Sequence, residues 1–280
     1  KEWLSHQHRA KYWKHGSVCE DFSSIDCAVY AIGGWADPYS NAILRLMSGL
    51  SCPRKALIGP WSHEYPQRAV PGPQIGFAQE CLRWWDHWLK GIDTGIMDEP
   101  IIRVWMPDSL PPKTHYLKRP GRWIAEPVWP PSDSDSNFKY KILFLNRNNL
   151  NTIEEPESHL LFPNSQLVGL NAGVWFPMGN PGEFPGDQRS ADSVSLCFDS
   201  EIFDKSIEIL GNPELTLSLS SSCNKGLIAA RLCDVAPDGS SLLVSWGLIN
   251  LTHYKSHEFP EELMKGERFV VNFQLNACAH

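Results

Sequence analysis

Several features that define other classes of protein are missing from this 280-residue sequence. It contains no apolar run of the roughly 18 residues that a membrane-spanning helix needs, and no signal-peptide pattern is recognised at its start. It also lacks an excess of positive charge, since its formal net charge is -7 at pH 7. A protein that binds nucleic acid regardless of sequence needs clustered lysine and arginine to replace phosphate counterions. We therefore expect neither a membrane nor a nucleic acid among its partners.

Disulfide and metal-binding patterns are missing as well. The eight cysteines form no CxxC pair, and those within apolar runs behave as small hydrophobic residues, so we predict reduced thiols in a cytoplasmic protein. His6 and His8 have no carboxylate or cysteine beside them at ligand spacing, and we interpret them as part of a solvated helix face. We therefore expect no metal site and no cofactor.

A glycine-flanked serine is the third missing pattern. In α/β-hydrolases the nucleophile lies on a G-x-S-x-G turn that follows a strand. No serine before Ser109 has glycines at that spacing, and the later serines lie where we predict β-structure. The sequence therefore contains no candidate nucleophile for that chemistry.

What the sequence does contain is a repeated layout between Ala28 and His63. Two short apolar runs each end in glycine, tryptophan and one titratable side chain, which is Asp37 in the first run and His63 in the second. The segment between them has Pro38 near its start and apolar residues at helical spacing, which predicts a helix. Strand, helix and strand in succession predict a right-handed βαβ unit. Ligands of such open sheets bind beyond the carboxyl ends of the strands, which is where both side chains would lie.

Two further segments show helical patterns. Residues 1–16 combine basic and aromatic residues and predict a helix with an aromatic face. Gly76 to Lys90 predict a strongly apolar helix that is closed by Gly91. We expect this second helix to cover one face of the sheet.

The character of the sequence changes after Ile101–Met106, which predicts one more strand. Beyond it, short runs of β-branched and aromatic residues bounded by turns predict β-structure with almost no helix. These runs are 142–145, 193–198, 214–220, 227–235, 242–251 and 269–275. Residues 236–239, Ala-Pro-Asp-Gly, predict a hairpin turn, because proline fixes φ and glycine takes the left-handed position. We predict a β-sandwich of jelly-roll type.

Asp37 and His63 have the chemistry of two members of a catalytic triad. In a triad, histidine takes the proton of a nucleophile on one ring nitrogen, while a carboxylate holds the other nitrogen and stabilises the imidazolium. Each residue alone has a plainer interpretation, as a helix cap for Asp37 and as an ordinary loop histidine for His63. Their matching positions after consecutive strands favour a site.

Aromatic residues flank both positions. Trp35, Trp61 and Tyr65 stand beside the two titratable residues in the sequence and are candidates for the wall of a substrate pocket. Packing beneath the site is an equally open interpretation, because large aromatic residues are first of all core material.

The motifs around Asp37 and His63 resemble those of a known family. Gly33-Gly-Trp-Ala-Asp37 and Gly59-Pro-Trp-Ser-His63 are similar to the acid and histidine motifs of the cocaine esterase and X-prolyl dipeptidyl peptidase family of serine hydrolases. This family also includes the α-amino-acid ester hydrolases. The similarity extends to Gly76–Gly91, to Ile101–Met106 and to Ala229–Gly239, which resembles the signature hairpin of the family's C-terminal jelly roll.

The resemblance implies a fold and a division into domains. Residues 1–108 would be the end of a helical cap and the C-terminal part of an α/β-hydrolase domain, and residues 109–280 an incomplete jelly-roll β-sandwich. The chain starts at Lys1 and stops just after a strand-like run, so we expect both ends to lie within a longer polypeptide. The nucleophilic serine and the oxyanion hole would precede Lys1, and this missing N-terminal part would be a required partner.

The resemblance also implies an activity. Asp37 would be the triad acid and His63 the general base of a serine hydrolase that cleaves carboxylic esters, or acyl and peptidyl amides, through an acyl-enzyme. The α-amino-acid ester hydrolases of the family hold the substrate ammonium with carboxylates two and three positions after the acid, where this sequence has Tyr39 and Ser40. This difference favours an ester substrate without a free α-amino group.

Two alternatives stay open. The chain could be a catalytically inactive fragment or homologue whose β-sandwich serves binding or assembly, or a folding unit that is stabilised only by its N-terminal partner. Exposed apolar surface on the first strand would favour the latter. The oligomeric state is also open, a homo-oligomer included.

Overall fold

A computed structural model describes residues 1–132, 138–147, 149–161 and 165–280. Its helices are α1 (Glu2–Ser5), α2 (Lys11–Lys14), α3 (Ser40–Gly49), α4 (Phe77–Lys90) and α5 (Arg189–Asp192). Its strands are β1 (Val29–Gly34), β2 (Arg54–Gly59), β3 (Ile102–Pro107), β4 (Gly121–Glu126), β5 (Phe144–Leu145), β6 (Leu150–Asn151), β7 (Leu210–Gly211), β8 (Glu214–Ser220), β9 (Leu227–Val235), β10 (Ser241–Asn250), β11 (Arg268–Gln274) and β12 (Cys278–Ala279). Within these residues, no helix combines the length and the apolar character that crossing a bilayer requires.

A four-stranded mixed sheet with the strand order β1-β2-β3-β4 forms the first part of the fold. β1, β2 and β3 run parallel, whereas β4 pairs with β3 in the antiparallel direction. β1 and β2 are aligned residue for residue, from Val29 opposite Arg54 to Gly34 opposite Gly59. Helix α3 connects them, as the strand-helix-strand pattern predicted. Because the register is aligned, the chain leaves both strands at the same level of the sheet.

Apolar side chains on one face of the sheet form a core beneath α3. The central strand β2 is buried from Lys55 to Gly59, which is typical of a parallel strand that is covered on both faces. Met47 of α3 and Ile58 of β2 are fully buried, and each such side chain contributes roughly 1.5–3 kcal/mol to stability. Ala277 belongs to the same cluster, so the end of the described chain packs against this core.

Helix α4 covers the opposite face, as expected. Trp84 is 3% exposed and its ring packs on that of Tyr30 with the centroids 5.2 Å apart. Glu80 accepts hydrogen bonds from the Tyr30 hydroxyl at 3.1 Å and from Arg103 at 2.9 Å. Burial raises the pKa of Tyr30 above its usual range, so the hydroxyl keeps its proton and remains a donor. Gly91 ends the helix with a φ of 68°, the left-handed conformation that the sequence predicted.

The prediction of one helix over residues 1–16 is wrong. The structure has two single-turn helices there, α1 and α2, and neither contains a buried residue. The His6 ring stacks on Tyr12 with the centroids 3.8 Å apart, and Trp13 Nε1 donates to the His6 carbonyl at 2.9 Å. These contacts fold the segment back on itself, and a short helix without tertiary packing is only marginally stable.

The second part of the fold consists mostly of strands. They pair antiparallel as β8 with β11, β9 with β10, β7 with β12, and β5 with β6. The two longest pairs contribute to a second core, in which Val271 is fully buried and Ile249 is 7% exposed. The predicted turn at 236–239 is confirmed, since it joins β9 to β10 and Gly239 has a φ of 80°.

One predicted strand, 193–198, is wrong. These residues follow α5 and are not assigned to a strand. Arg231 donates to Asp192 at 2.8 Å and to the Ser195 hydroxyl at 3.3 Å, and the Ser195 N–H donates to the Asp192 carbonyl at 3.0 Å. A partner far along the chain therefore holds residues 193–195 in a turn, although the residue types of 193–198 suit a strand.

Candidate active site

The loops that follow β1 and β2 are hydrogen-bonded to each other. The N–H of Trp35 donates to the Gly59 carbonyl at 2.9 Å, and the N–H of Ala36 donates to the Trp61 carbonyl at 3.1 Å. Gly34 permits this approach, because a side chain there would overlap the Trp61 carbonyl. The repeated glycine-tryptophan pattern therefore brings the residues after both strands together at one edge of the sheet.

Asp37 and His63 form a hydrogen-bonded pair at this edge. His63 Nδ1 lies 2.8 Å from Asp37 Oδ2, and Asp37 Oδ1 accepts the N–H of Tyr39 at 2.7 Å. The side chain of Asp37 is 14% exposed and that of His63 is 40% exposed. One carboxylate oxygen thus orients the imidazole while the other accepts a backbone N–H in the turn that leads into α3. The N-cap position of α3 is Tyr39 and no side chain caps the helix, so the interpretation of Asp37 as a helix cap is wrong.

Two aromatic rings and a backbone carbonyl also hold His63. The ring centroid of Phe176 lies 4.3 Å from that of His63, and the centroid of Tyr39 lies 5.7 Å from it. The His63 N–H donates to the Pro177 carbonyl at 2.9 Å. His63 Nε2 makes no hydrogen bond with any described residue, so this nitrogen is available to a reacting group.

Sequence reasoning missed Trp175 and Phe176. They lie in the glycine- and proline-rich segment 171–186, where local patterns predict little structure. Trp175 is 62% exposed, and its ring centroid lies 6.4 Å from that of Tyr39. Two adjacent aromatic residues in such a loop are a signal for a binding surface, because loops commonly carry functional residues. No local pattern, however, connects this loop with His63.

Trp61 and Trp35 both make packing contacts near the site. Trp61 is 1% exposed and its Nε1 donates to the Pro73 carbonyl at 2.8 Å. Trp35 is half-buried, donates to the Trp105 carbonyl at 2.7 Å and packs against the core under α3. These contacts suit the packing interpretation that the sequence left open, and a place in a pocket wall stays a prediction for these residues.

Tyr65 is in a different position. It is 60% exposed, and its ring centroid lies 6.0 Å from that of Phe77 at the start of α4. The Arg68 guanidinium lies 5.6 Å from the same ring. These contacts do not test a role in a pocket, and that role stays a prediction.

The described residues offer no nucleophile to His63. Ser62 precedes His63 in the chain but is 1% exposed, and its buried hydroxyl has no hydrogen-bond partner. Ser40, at the start of α3, is also buried. Among the residues that the structure describes, no hydroxyl or thiol forms a hydrogen bond with the imidazole.

A second group of serine, aspartate and histidine has the wrong order for a triad. Asp234 Oδ2 accepts a hydrogen bond from the Ser109 hydroxyl and lies 3.0 Å from His280 Nε2. Burial acts to raise the pKa of Asp234, but the hydrogen bonds from Ser109 and His280 outweigh it and lower that pKa. Because the carboxylate lies between the other two groups, His280 does not receive the serine proton, and the cluster ties three distant segments together.

Metal and thiol chemistry are not indicated by the described part of the chain. Within it, no group of three or more His, Cys, Asp or Glu side chains could hold a metal ion. All eight cysteines are free thiols. Burial raises the pKa of Cys278 to about 12 and also raises that of Cys233. Both thiols therefore stay protonated near neutral pH and are poor nucleophiles.

Two family models match the chain. One describes the X-Pro dipeptidyl-peptidase C-terminal non-catalytic domain and matches residues 94–280. The other describes X-Pro dipeptidyl-peptidase of the S15 family and matches residues 1–65. Asp37 and His63 lie in the second match, whereas Phe176 lies in the first.

Individual proteins are similar over most of the chain. It is 25% identical over 258 residues to a predicted serine esterase of Mycobacterium bovis, covering 89% of this chain and 38% of that protein. It is 21% identical over 305 residues to a cocaine esterase of a Rhodococcus species, covering 99% of this chain and 50% of the esterase. The solved structure of a CocE/NonD family hydrolase from Staphylococcus aureus matches with a TM-score of 0.73 at 14% identity, over 99% of this chain and 48% of that chain. The fold is therefore shared, and the chain spans half or less of the length of these relatives.

Proposed function

The chain belongs to the X-Pro dipeptidyl-peptidase family of serine hydrolases, which includes the cocaine esterases and the α-amino-acid ester hydrolases, and from that premise we propose that it carries the acid and the base of a catalytic triad. In this proposal Asp37 is the acid and His63 is the general base. The substrate is a carboxylic ester, or an acyl or peptidyl amide, that is cleaved through an acyl-enzyme. The supporting observation is the 2.8 Å contact between His63 Nδ1 and Asp37 Oδ2 at the ends of neighbouring parallel strands.

The contact with Asp37 suits His63 to proton transfer. When Nδ1 donates its hydrogen to the carboxylate, Nε2 has a lone pair that accepts the proton of a serine hydroxyl. As the serine oxygen bonds to the acyl carbon, that proton moves to Nε2 and Asp37 stabilises the imidazolium. The proton then passes to the leaving alcohol or amine while its bond to the acyl carbon breaks. In the second half, His63 takes a proton from water as the water oxygen bonds to the acyl carbon. The bond between that carbon and the serine oxygen then breaks, His63 returns the proton to the serine oxygen, and the acid is released.

The nucleophile and the oxyanion hole come, in this proposal, from a part of the protein outside these 280 residues. Two observations support it: Nε2 of His63 has no partner among the described residues, and the relatives extend well beyond the matched region. The complete site then includes the N-terminal part of the same protein.

The surroundings of His63 suit an apolar acyl group. Tyr39, Trp175 and Phe176 lie around the imidazole with pairwise centroid distances of 6.2 to 6.4 Å. All three are at least partly exposed, and such rings provide a wall for an acyl group. Tyr39 and Ser40 also carry no charge that would hold a substrate ammonium, which supports an ester without a free α-amino group.

The division of the chain is part of the same proposal. Residues 1–108 form the end of the catalytic domain, and residues 109–280 form a β-sandwich of jelly-roll type. The support is the change from a mixed sheet with helices to antiparallel strand pairs around a separate core. This change comes after β4, which still pairs with β3 in the first sheet.

The test uses the full-length protein and p-nitrophenyl esters of differing acyl size. His63→Ala should lower kcat by at least about three orders of magnitude, because the base is removed from both half-reactions. His15→Ala is the matched control, since His15 is an exposed histidine outside the site. An unchanged rate in His63→Ala would contradict the assignment. If the wild-type protein hydrolyses neither esters nor amides, the alternative of an inactive homologue with a binding or assembly role is favoured.

A further inference from the structure

A turn from the second part of the chain lies on the loop that carries His63. Phe176 places its ring 4.3 Å from that of His63, and the Pro177 carbonyl accepts the His63 N–H at 2.9 Å. Gly179, with a φ of 90°, approaches Ser62 so closely that a side chain at this glycine would press against the Ser62 hydroxyl. Residues 175–180, the His63-contacting turn, thus form one side of the site.

One carboxylate closes the His63-contacting turn. Glu183 Oε2 accepts the N–H of Met178 at 2.7 Å and the N–H of Asn180 at 2.8 Å, and Glu183 Oε1 accepts the side-chain amide of Asn180 at 2.8 Å. Among the described residues, no other side chain forms a hydrogen bond with the backbone of this turn. No other described side chain could therefore accept the backbone N–H groups of the turn in place of Glu183.

Backbone hydrogen bonds anchor the ends of the segment, and the Glu183 N–H donates to the Asn180 carbonyl at 3.3 Å. The N–H groups of Gly182 and Phe184 both donate to the Thr114 carbonyl at 3.1 Å, and the Val174 N–H donates to the Glu183 carbonyl at 2.9 Å. Between these anchors, the carboxylate of Glu183 sets the path of the backbone next to Pro177. Loss of the carboxylate would release the N–H of Met178, one residue from the carbonyl that holds His63.

The charge of Glu183 suits this role. The side-chain amide of Asn180 contributes most to lowering the pKa of Glu183, with slight burial opposing it and the backbone N–H groups of Asn180, Met178 and Gly179 adding to it. The carboxylate is therefore ionised at neutral pH, and hydrogen bonds to an ionised acceptor are stronger than those between neutral groups.

We propose that Glu183 is a positioning residue for His63, acting through the His63-contacting turn. The inference rests on the proposed function, in which His63 is the general base. Glu183 touches neither the imidazole nor Asp37 by any described hydrogen bond; it fixes the turn whose Pro177 carbonyl and Phe176 ring hold the base in place. The region that matches a non-catalytic domain, residues 94–280, thereby contributes to the geometry of the catalytic pair.

The experiment compares Glu183→Ala and Glu183→Gln in the full-length protein, with p-nitrophenyl acetate as the substrate. Active-site titration with a fluorophosphonate counts the competent sites, so that kcat refers to folded enzyme only. Glu183→Ala should lower kcat by about 10- to 100-fold with little change in KM, since a displacement of the base by an ångström costs up to about that much. Glu183→Gln should retain most of the activity, because its amide oxygen can accept both backbone N–H groups.

The control is Glu201→Ala, which removes an exposed glutamate whose side chain makes no described contact and should leave kcat unchanged. A second readout is the downfield proton resonance of His63 Nδ1, which reports its hydrogen bond with Asp37. This resonance should broaden or shift upfield in Glu183→Ala and persist in Glu183→Gln. If Glu183 only stabilised the fold, the two Glu183 variants would not differ in kcat per titrated active site or in this resonance.

Wild-type kcat and an unchanged resonance in Glu183→Ala would overturn the inference. Equal losses in the alanine and glutamine variants would also overturn it, because they would assign the effect to charge and not to the hydrogen bonds of the turn. His63→Ala, measured in parallel, distinguishes a failure of the positioning role of Glu183 from a failure of the proposed function. If that variant is inactive while Glu183→Ala is normal, only the positioning role fails; if His63→Ala is active, the proposed function fails.

Discussion

His63 Nδ1 and Asp37 Oδ2 are 2.8 Å apart, although 26 positions separate the two residues in the sequence. The contact depends on the aligned register of β1 and β2, which ends with Gly34 opposite Gly59. Parallel strands deliver their following loops to one edge of a sheet. The pair is therefore sensitive to changes in the carboxylate, in the strand ends and in the rings around the imidazole.

Asp37→Asn should nearly abolish turnover in the full-length protein. Asparagine keeps the size of the side chain but presents an amide that cannot stabilise the imidazolium and that favours the wrong tautomer of His63. We expect kcat to fall by about three to four orders of magnitude with the fold intact. Steady-state kinetics and far-UV circular dichroism measure the two effects. A variant with wild-type kcat would remove Asp37 from the proposed triad.

Gly34→Ala should destabilise the fold and separate the two loops. The new methyl group would overlap the Trp61 carbonyl, which accepts the N–H of Ala36. We expect a loss of about 1–3 kcal/mol in the free energy of unfolding, as for other overpacked sites, measured by urea denaturation. Gly16→Ala is the matched control, since a methyl group there would meet no atom within 4 Å. Equal midpoints for both variants would contradict the close approach of the loops.

Phe176→Ala should remove the ring contact that positions His63 and one of the aromatic rings proposed to line the acyl pocket. The ring contact with the imidazole is worth about 1 kcal/mol, which corresponds to about a fivefold loss in kcat/KM. The loss should be larger for benzoyl esters than for acetyl esters, because the longer acyl group reaches the wall. Phe259→Ala is the control, since Phe259 is 70% exposed and has no described ring contact. A loss that is independent of the acyl group would remove Phe176 from the pocket.

Cys278 should make stability depend on pH in the alkaline range. Burial raises the pKa of this thiol from 9.0 to about 12 in the folded protein. Between these values the unfolded state binds fewer protons than the folded state, so the free energy of unfolding is at its full value below pH 9.0 and falls as the pH rises toward about 12. Cys278→Ala should reduce this slope in urea titrations, whereas Cys27→Ala, at an exposed thiol, should leave it unchanged. Identical slopes in the two variants would contradict the prediction.

Local patterns in the sequence predicted the elements that carry the pair. Apolar runs predicted β1 and β2, helical spacing after Pro38 predicted α3, and Gly91 predicted the end of α4. Each of these signals depends on backbone sterics or on burial of neighbouring residues, which operate within a few positions. The turn at 236–239 was predictable for the same reason.

Other elements depend on partners that are remote in the sequence. Arg231 holds residues 193–195 in a turn, although the residue types of 193–198 suit a strand. Residues 1–16 are a different case, because the His6 and Tyr12 rings that stack there are near each other in the sequence. The burial of Trp61 beneath the site is another case, because the same residue types suit a wall or a core. The helix and strand propensities of individual residues contribute too little free energy to outweigh tertiary contacts in such cases.

The sequence by itself determined that Asp37 and His63 follow consecutive strands, because strand ends and turns are encoded locally. Only the tertiary structure decided which groups complete their surroundings: the Phe176 ring, the Pro177 carbonyl and, through the turn that it closes, Glu183. The physical reason is that a loop more than a hundred residues downstream is brought onto His63 by packing and by the Thr114 and Glu183 hydrogen bonds. Contacts of that range leave no periodic signal in either segment alone.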